Sequence, residues 1–188
     1  MKFPKIILAS KSPRRSQLLE QAGFDFKVKT TEVEEDYPAD LAPQKVAEFL
    51  ACKKARASFH FIENEEVILA ADSIVLLDNI IYEKPKDHKD AVRILKALSG
   101  NVHEVITGVC LLSKNKERSF SGFSQVHFDD LTEEEIDYYI KTCQPFDKAG
   151  AYGVQEWIGL CKIRKIEGTY ANIMGLPVDL VYKEMGRM

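Results

Sequence analysis

The chain has 188 residues, of which 45% are hydrophobic and 29% charged, with a formal net charge of −3. This is the composition of a globular protein with room for a sizeable core, read as a single domain over residues 1–188, and it excludes a disordered or fibrous chain. A slightly acidic chain also lacks the positive footprint on which bulk nucleic-acid binding rests, so no nucleic-acid partner is expected.

From the N-terminus, residues 5–9 read as a buried strand and residues 13–22 as a helix stopped by Gly23, with Leu18, Leu19 and Ala22 on one face. Between them runs Ser10-Lys11-Ser12-Pro13-Arg14-Arg15. Ser12 has the residue type of an N-cap and Pro13 suits the first helical position, which leaves backbone N–H groups pointing outward. Lys11, Arg14 and Arg15 crowd that same end, where the helix dipole favours anions and disfavours cations. An anion between them resolves the conflict, with arginine forks and the hydroxyls of Ser10 and Ser12 as donors. The segment contains no glycine and is not a Walker loop, so a phosphate cradle and an exposed basic first turn stand level.

Residues 24–29 follow as a short strand, and 31–43 as an acidic, proline-bearing loop. Residues 43–61 carry helical periodicity through Val46, Phe49, Leu50 and Ala57. Residues 67–77 form an apolar strand, 79–82 a return strand ended by Lys84-Pro85, and 87–98 an amphipathic helix closed near Gly100. Residues 102–112 and 118–128 read as a long hairpin. Thr132-Glu133-Glu134-Glu135 has the capping-box pattern and opens a helix to about residue 142. Residues 145–159 read as an ordered loop, 161–166 as a late strand and 176–185 as a final helix. The order predicts an α/β or α+β fold around a mixed sheet.

Asp72 is the sharpest oddity along these elements, because aspartate disfavours strands and a buried unpaired carboxylate costs several kcal/mol. It reads as a metal ligand or general base at the rim of a sheet in preference to a loop cap. Lys54 and Lys84 alone are ordinary surface lysines. Glu32, Glu34, Glu35 and Asp36 form a loop cluster that offers oxygen ligands to a divalent cation or is simply solvated. Gln155, among small residues, presents both donor and acceptor and suits the edge of a base, with a structural role as the alternative. Cys52, Cys110, Cys143 and Cys161 are widely spaced without a CxxC pair and no secretory leader is recognisable, which predicts reduced thiols and a cytoplasmic location. No run approaches the roughly 20 apolar residues of a membrane span.

Seven segments in series now carry a resemblance that covers nearly the whole chain. They are Leu8-Ala9-Ser10-Lys11-Ser12-Pro13-Arg14-Arg15, Leu50-Ala51-Cys52-Lys53-Lys54-Ala55, Ala71-Asp72-Ser73, Glu83-Lys84-Pro85, Leu98-Ser99-Gly100, His103-Glu104-Val105-Ile106-Thr107-Gly108 and Asp147-Lys148-Ala149-Gly150-Ala151-Tyr152-Gly153-Val154-Gln155. In this order the chain resembles the Maf family of nucleoside triphosphate pyrophosphatases. The resemblance implies an elongated mixed sheet flanked by helices, as in inosine triphosphate pyrophosphatases (the Maf/Ham1 fold), two lobes with a central cleft, and a homodimer. It implies hydrolysis of a nucleoside triphosphate to monophosphate and pyrophosphate with a divalent metal, Mg²⁺ or Mn²⁺. Asp72 is then the proton acceptor and general base; Ser10, Arg15, Lys54 and Lys84 bind phosphate; Glu35 and Asp72 hold metal. Arg14, Ser73 and Gln155 fall where the family sets base specificity, and the Gly-Ala-Tyr-Gly-Val-Gln form is similar to the branch acting on dTTP and UTP. Position 73 is Ser where that branch commonly has Thr, and Glu156-Trp157 follows Gln155 where many members have glycine. The competing expectation is a nucleotide-sensing protein that contacts a cell-division partner without significant turnover.

Overall fold

The computed structural model describes residues 3–188. A seven-stranded mixed sheet is flanked by helices. Its strands are β1 (Ile6–Leu8), β2 (Phe26–Val28), β3 (Val67–Leu77), β4 (Ile80–Tyr82), β5 (Val102–Leu112), β6 (Glu117–Phe128) and β7 (Ile163–Glu167). The helices are α1 (Pro13–Gln21), α2 (Pro43–Ala57), α3 (His88–Leu98), α4 (Glu133–Cys143), α5 (Trp157–Cys161), α6 (Tyr170–Met174) and α7 (Val178–Met185). The spatial strand order is β2-β1-β3-β5-β6-β7, with β4 paired to β3. β1 runs parallel to both β2 and β3, whereas β3–β4 and β6–β7 are antiparallel.

The chain divides into two compact units. One contains the residues up to Ser73 with Thr107–Gly122 and Gly175–Met188; the other contains Ile74–Ile106 and Phe123–Met174. In the first, α2 lies on the sheet face formed by Ile7 and Ala9 of the β1 segment, Ile68 and Ala70 of β3, and Cys110 and Leu112 of β5. Strand alternation puts each of these pairs on one side of the pleat, and the small residues Ala51 and Ala55 let the helix come close. Gly108 shares that face two residues before Cys110. A Cβ there would sit 2.2 Å from the Glu48 backbone nitrogen and 2.3 Å from the Ala47 carbonyl carbon. Only a residue without a side chain lets the backbone of α2 rest on the strand.

In the second unit, α3 and α4 share a core with Val105, Val126, Phe128 and Tyr152. Asp87 caps α3 by accepting from the Asp90 amide at 2.8 Å. At α4 the Thr132 hydroxyl accepts from the Glu135 amide while the Glu135 carboxylate accepts from the Thr132 amide, which is the capping box expected from the sequence. Asp78 and Asn79 adopt φ of 51° and 61° and close the β3–β4 hairpin as a two-residue loop of the type whose twist matches the strands. His103 donates to or accepts from the Tyr152 hydroxyl at 2.8 Å inside this core, and burial pulls its pKa down to about 3, so the ring is neutral.

Several boundaries differ from expectation. The helix from Pro43 ends at Ala57, and residues Phe59–Phe61 form a separate tight turn. Phe49, placed on a buried face by periodicity, is exposed, because the Gly108 contact turns Ala47 inward in its place, and Ala22 is exposed as the residue that ends α1. Ser12 occupies the N-cap position of α1 but its side chain makes no capping bond. The stretch 145–159 contains short helical turns and the start of α5, and α6 precedes the final helix. Among the described residues no helix is long and apolar enough to cross a membrane.

Gly108→Ala is expected to force α2 away from β5 and to lower stability by about 1–3 kcal/mol or more, seen as a lower urea midpoint at unchanged slope. An unchanged midpoint would mean that α2 can retreat without cost.

Candidate active site

The alternation along β3 sets up the site. Asp72 has the parity of Ile68 and Ala70 and therefore faces α2, while Ser73 faces the other side of the sheet. On α2, Lys54 follows Ala47, Leu50 and Ala51 around the buried stripe and extends from it to the carboxylate: Lys54 Nζ lies 2.5 Å from Asp72 Oδ1. The same ammonium lies 2.6 Å from Glu35 Oε1, in the acidic loop. Asp72 is thus neither orphaned nor a loop cap. Its charge, held in a mostly buried position, is balanced by a lysine that it shares with a second carboxylate.

Two other acids of the loop also meet cations. Asp36 pairs with Lys53, and Glu32 with Lys11 at 3.2 Å. Three acids tie the loop down, and Glu35 is the member that reaches Lys54 and, through it, Asp72. Two carboxylate oxygens that converge on one small cation are a hard donor set. They suit Mg²⁺ or Mn²⁺, which take one or two protein carboxylates and complete their shell with water and phosphate oxygens.

On the opposite side of the pleat, Arg15 organises a second cluster. Its Nε donates to the Gly175 carbonyl at 2.8 Å, Nη1 to Ser10 Oγ at 3.1 Å and Nη2 to Ser73 Oγ at 3.2 Å. Ser73 Oγ lies 2.9 Å from Thr107 Oγ1 on the neighbouring strand β5. Ser10 Oγ also accepts from the Ser12 amide at 3.2 Å, so its own hydrogen is left to donate. Burial lowers the Arg15 pKa from its ordinary value, opposed by the Asp72 and Glu35 charges and reinforced by Arg14, and the guanidinium keeps its charge. The turn after β1 is therefore built around a half-buried cation whose fork is partly committed to hydroxyls.

Lys84 and Gln155 belong to the second unit. Lys84 is exposed just after β4, and the preceding Glu83 carbonyl accepts from the Gly150 amide at 3.2 Å. Gly150 has φ of 71°, and a Cβ there would lie 2.7 Å from Val75 Cγ2, so the loop's approach to β3 requires glycine. Farther along this loop, the Tyr139 hydroxyl accepts from the Gly153 amide at 2.9 Å and donates to Glu156. Glu156 is also 3.1 Å from Lys148, which in turn lies 2.6 Å from Asp147. Burial first, and then the bond to Glu156, pushes the Tyr139 phenol well above its ordinary pKa, so it stays a donor. Gln155 itself is exposed at the end of this braced segment.

The family profile described as Maf-like protein matches residues 5–188. The chain belongs to the Maf family. Among its relatives, a protein of Phocaeicola vulgatus named dTTP/UTP pyrophosphatase is 48% identical over 185 residues, 98% of this chain and 96% of that protein. Proteins of the same name are 45% identical in Porphyromonas gingivalis, over 98% of this chain and 94% of that one, and 40% identical in Christiangramia forsetii, over 100% and 96%. Among solved structures, the Staphylococcus aureus Ham1 protein aligns with 66% of this chain and 71% of its own at a TM-score of 0.49 and 16% identity.

Within this Maf-family chain the first unit brings together Ser10, Arg15, Glu35, Lys54, Asp72 and Ser73. Thr107 and the Gly175 carbonyl join them without having been singled out in the sequence. Thr107 stood inside a quoted segment and so carried some signal; a carbonyl 160 residues from its arginine carried none. Glu156, a departure from the common pattern, turns its charge toward Tyr139 and Lys148.

Tyr139→Phe removes the acceptor of the buried Gly153 amide and one partner of Glu156. It should cost about 1–3 kcal/mol by urea unfolding, and a loss near zero would show that the brace is dispensable.

Proposed function

We propose that this Maf-family protein hydrolyses dTTP and UTP between the α- and β-phosphates, releasing the nucleoside monophosphate and pyrophosphate, as a homodimer and with Mg²⁺ or Mn²⁺. The observation that carries this reading is the Lys54 ammonium shared between Asp72 and Glu35. A carboxylate held on the sheet beside a lysine supplies a proton acceptor and a phosphate-binding cation a few ångströms apart. The names of the relatives support the choice of substrate.

A triphosphate is stabilised in such a site by cations, and phosphoryl transfer asks the protein mainly for positioning and charge. Arg15 directs the rest of its fork to phosphate oxygens, and Ser10 donates its free hydrogen to them. Lys54 turns from the carboxylates to the phosphate chain as substrate enters, which releases Asp72 from its ion pair. Asp72 then takes the proton of the water that attacks the α-phosphorus. Glu35 and Asp72 are the residues that would hold a divalent metal, which would supply neutralisation of phosphate charge and a lowered pKa for bound water. Lys84 adds a further cation for the phosphates. Gln155 pairs its amide donor and acceptor with the carbonyl and N–H edge shared by thymine and uracil, while Arg14 and Ser73 bias the choice among bases.

Incubation of the purified full-length chain with a panel of ribo- and deoxyribonucleoside triphosphates and either metal, with chromatographic identification of products, tests this. The expected outcome is monophosphate plus pyrophosphate, fastest from dTTP and UTP. Tight binding without turnover would favour the sensing role, and release of orthophosphate would show that a different bond is cut. Asp72→Asn is expected to lower kcat by about 10²-fold or more with little change in nucleotide affinity. Retained turnover in that variant would remove Asp72 as the base.

A further inference from the structure

Away from the carboxylate cluster, α2 and β5 bring two cysteines together. Cys52 is half-buried on α2, and Cys110 is fully buried on β5. Their sulfurs and a carboxylate oxygen of Glu117 all lie within 4.8 Å of one another. Both thiols sit in the layer of Ile7, Ala51, Ala55, Ile68 and Ala70, so the backbone on either side is fixed by packing. Glu117 is not a free ligand. Arg56, one turn beyond Cys52, holds both of its oxygens, Nε to Oε2 at 3.0 Å and Nη2 to Oε1 at 2.5 Å. A carboxylate already engaged by a guanidinium is a poor ligand for a divalent metal, which leaves the two thiols to each other.

The two thiols are also unequal. The neighbouring Cys110 thiol, helped by the Ser119 hydroxyl, holds the Cys52 thiol below its ordinary pKa against burial and the Glu117 charge, with Arg56 a smaller aid. The same contact between the thiols, together with burial, raises Cys110. A more exposed, more acidic thiol in contact with a buried, protonated one is the arrangement of an attacking and a resolving cysteine.

We propose that Cys52 and Cys110 are a reversible thiol–disulfide pair that responds to peroxide and, when oxidised, ties α2 to β5. The Cys52 thiolate attacks hydrogen peroxide: an S–O bond forms, the O–O bond breaks, and the departing hydroxide takes a proton to become water. Cys52 is oxidised to a sulfenic acid and the peroxide is reduced. Cys110 sulfur then displaces the hydroxyl from Cys52, forming the S–S bond, and its proton leaves with that hydroxide as a second water. A dithiol reverses the change by exchange. The site stands independently of the nucleotide chemistry, since neither cysteine touches Asp72 or Glu35 in the cluster described above.

The test treats the reduced full-length protein with hydrogen peroxide and reads intact mass, thiol count and peptide map. The expected result is a mass loss of two hydrogens, a fall from four reactive thiols to two after unfolding, a Cys52–Cys110 cross-linked peptide, and full recovery with dithiothreitol. Because the cross-link is read in the wild-type chain, the result does not depend on a variant that folds. Cys110→Ser should stop at a dimedone-trappable sulfenic acid on Cys52, and Cys52→Ser should slow oxidation of Cys110 by at least about tenfold. Four thiols remaining, or oxidation at Cys143 or Cys161 in place of this pair, would overturn the proposal. So would uptake of one Zn²⁺ per reduced chain with protection of both thiols, which would make the cluster a metal site.

Discussion

The close approach of α2 to the sheet is the constraint on which the first unit depends. Gly108 offers no side chain where the helix backbone passes at Ala47 and Glu48, and Ala51 and Ala55 keep the rest of the interface thin. A thin interface has a chemical result. Lys54 reaches across it to Asp72 while still meeting Glu35 at the edge, and Cys52 is brought against Cys110. Packing density and site geometry are here the same fact, since a larger residue at any of these positions would lift the helix and separate both pairs.

Electrostatics then does what packing cannot. Residues 29–42 hold no helix or strand beyond a turn near Asp40, yet successive acids in that stretch find Lys11, Lys53 and Lys54. The exposed pairs contribute little each, about 0–1 kcal/mol. The Lys54 pairs differ because the side chains of Lys54 and Asp72 are largely withdrawn from water, where an unmatched charge would be costly. Lys54 and Arg56 also stand in the last turn of α2, where the helix dipole favours cations.

Where the signal was local, the sequence was readable. The limits of β3 follow from its apolar run and α4 from the Thr132–Glu135 capping box, whereas Asn79, read as the first residue of the return strand, lies with Asp78 in the turn before β4. Asp72 was conspicuous because its charge contradicts its strand, and Arg15 because cations crowd a helix start. What escaped was set by partners far along the chain. Periodicity placed Phe49 inward, but which stripe of α2 faces the sheet is decided by Gly108, some sixty residues later. Ser12 has the residue type of a cap, yet the bond around it runs from its amide to Ser10, because Ser10 is already fixed by Arg15. Glu156 stood out in the sequence only as a departure from the family pattern, because its partners Tyr139 and Lys148 come from other parts of the fold.

The neighbours Asp72 and Ser73 carry a further consequence. One peptide separates them, yet the pleat sends one to the lysine and carboxylate side and the other to the arginine and hydroxyl side. A side chain at 73 therefore grows or shrinks among Arg15, Thr107 and Gly175, and it reaches the acid only through the charge of Arg15. The number of residues between Val67 and Asp72 is held tightly: inserting one would set the carboxylate before Thr107, and deleting one would set the hydroxyl of Ser73 before Lys54. In this strand, length is under tighter restraint than much of the lettering.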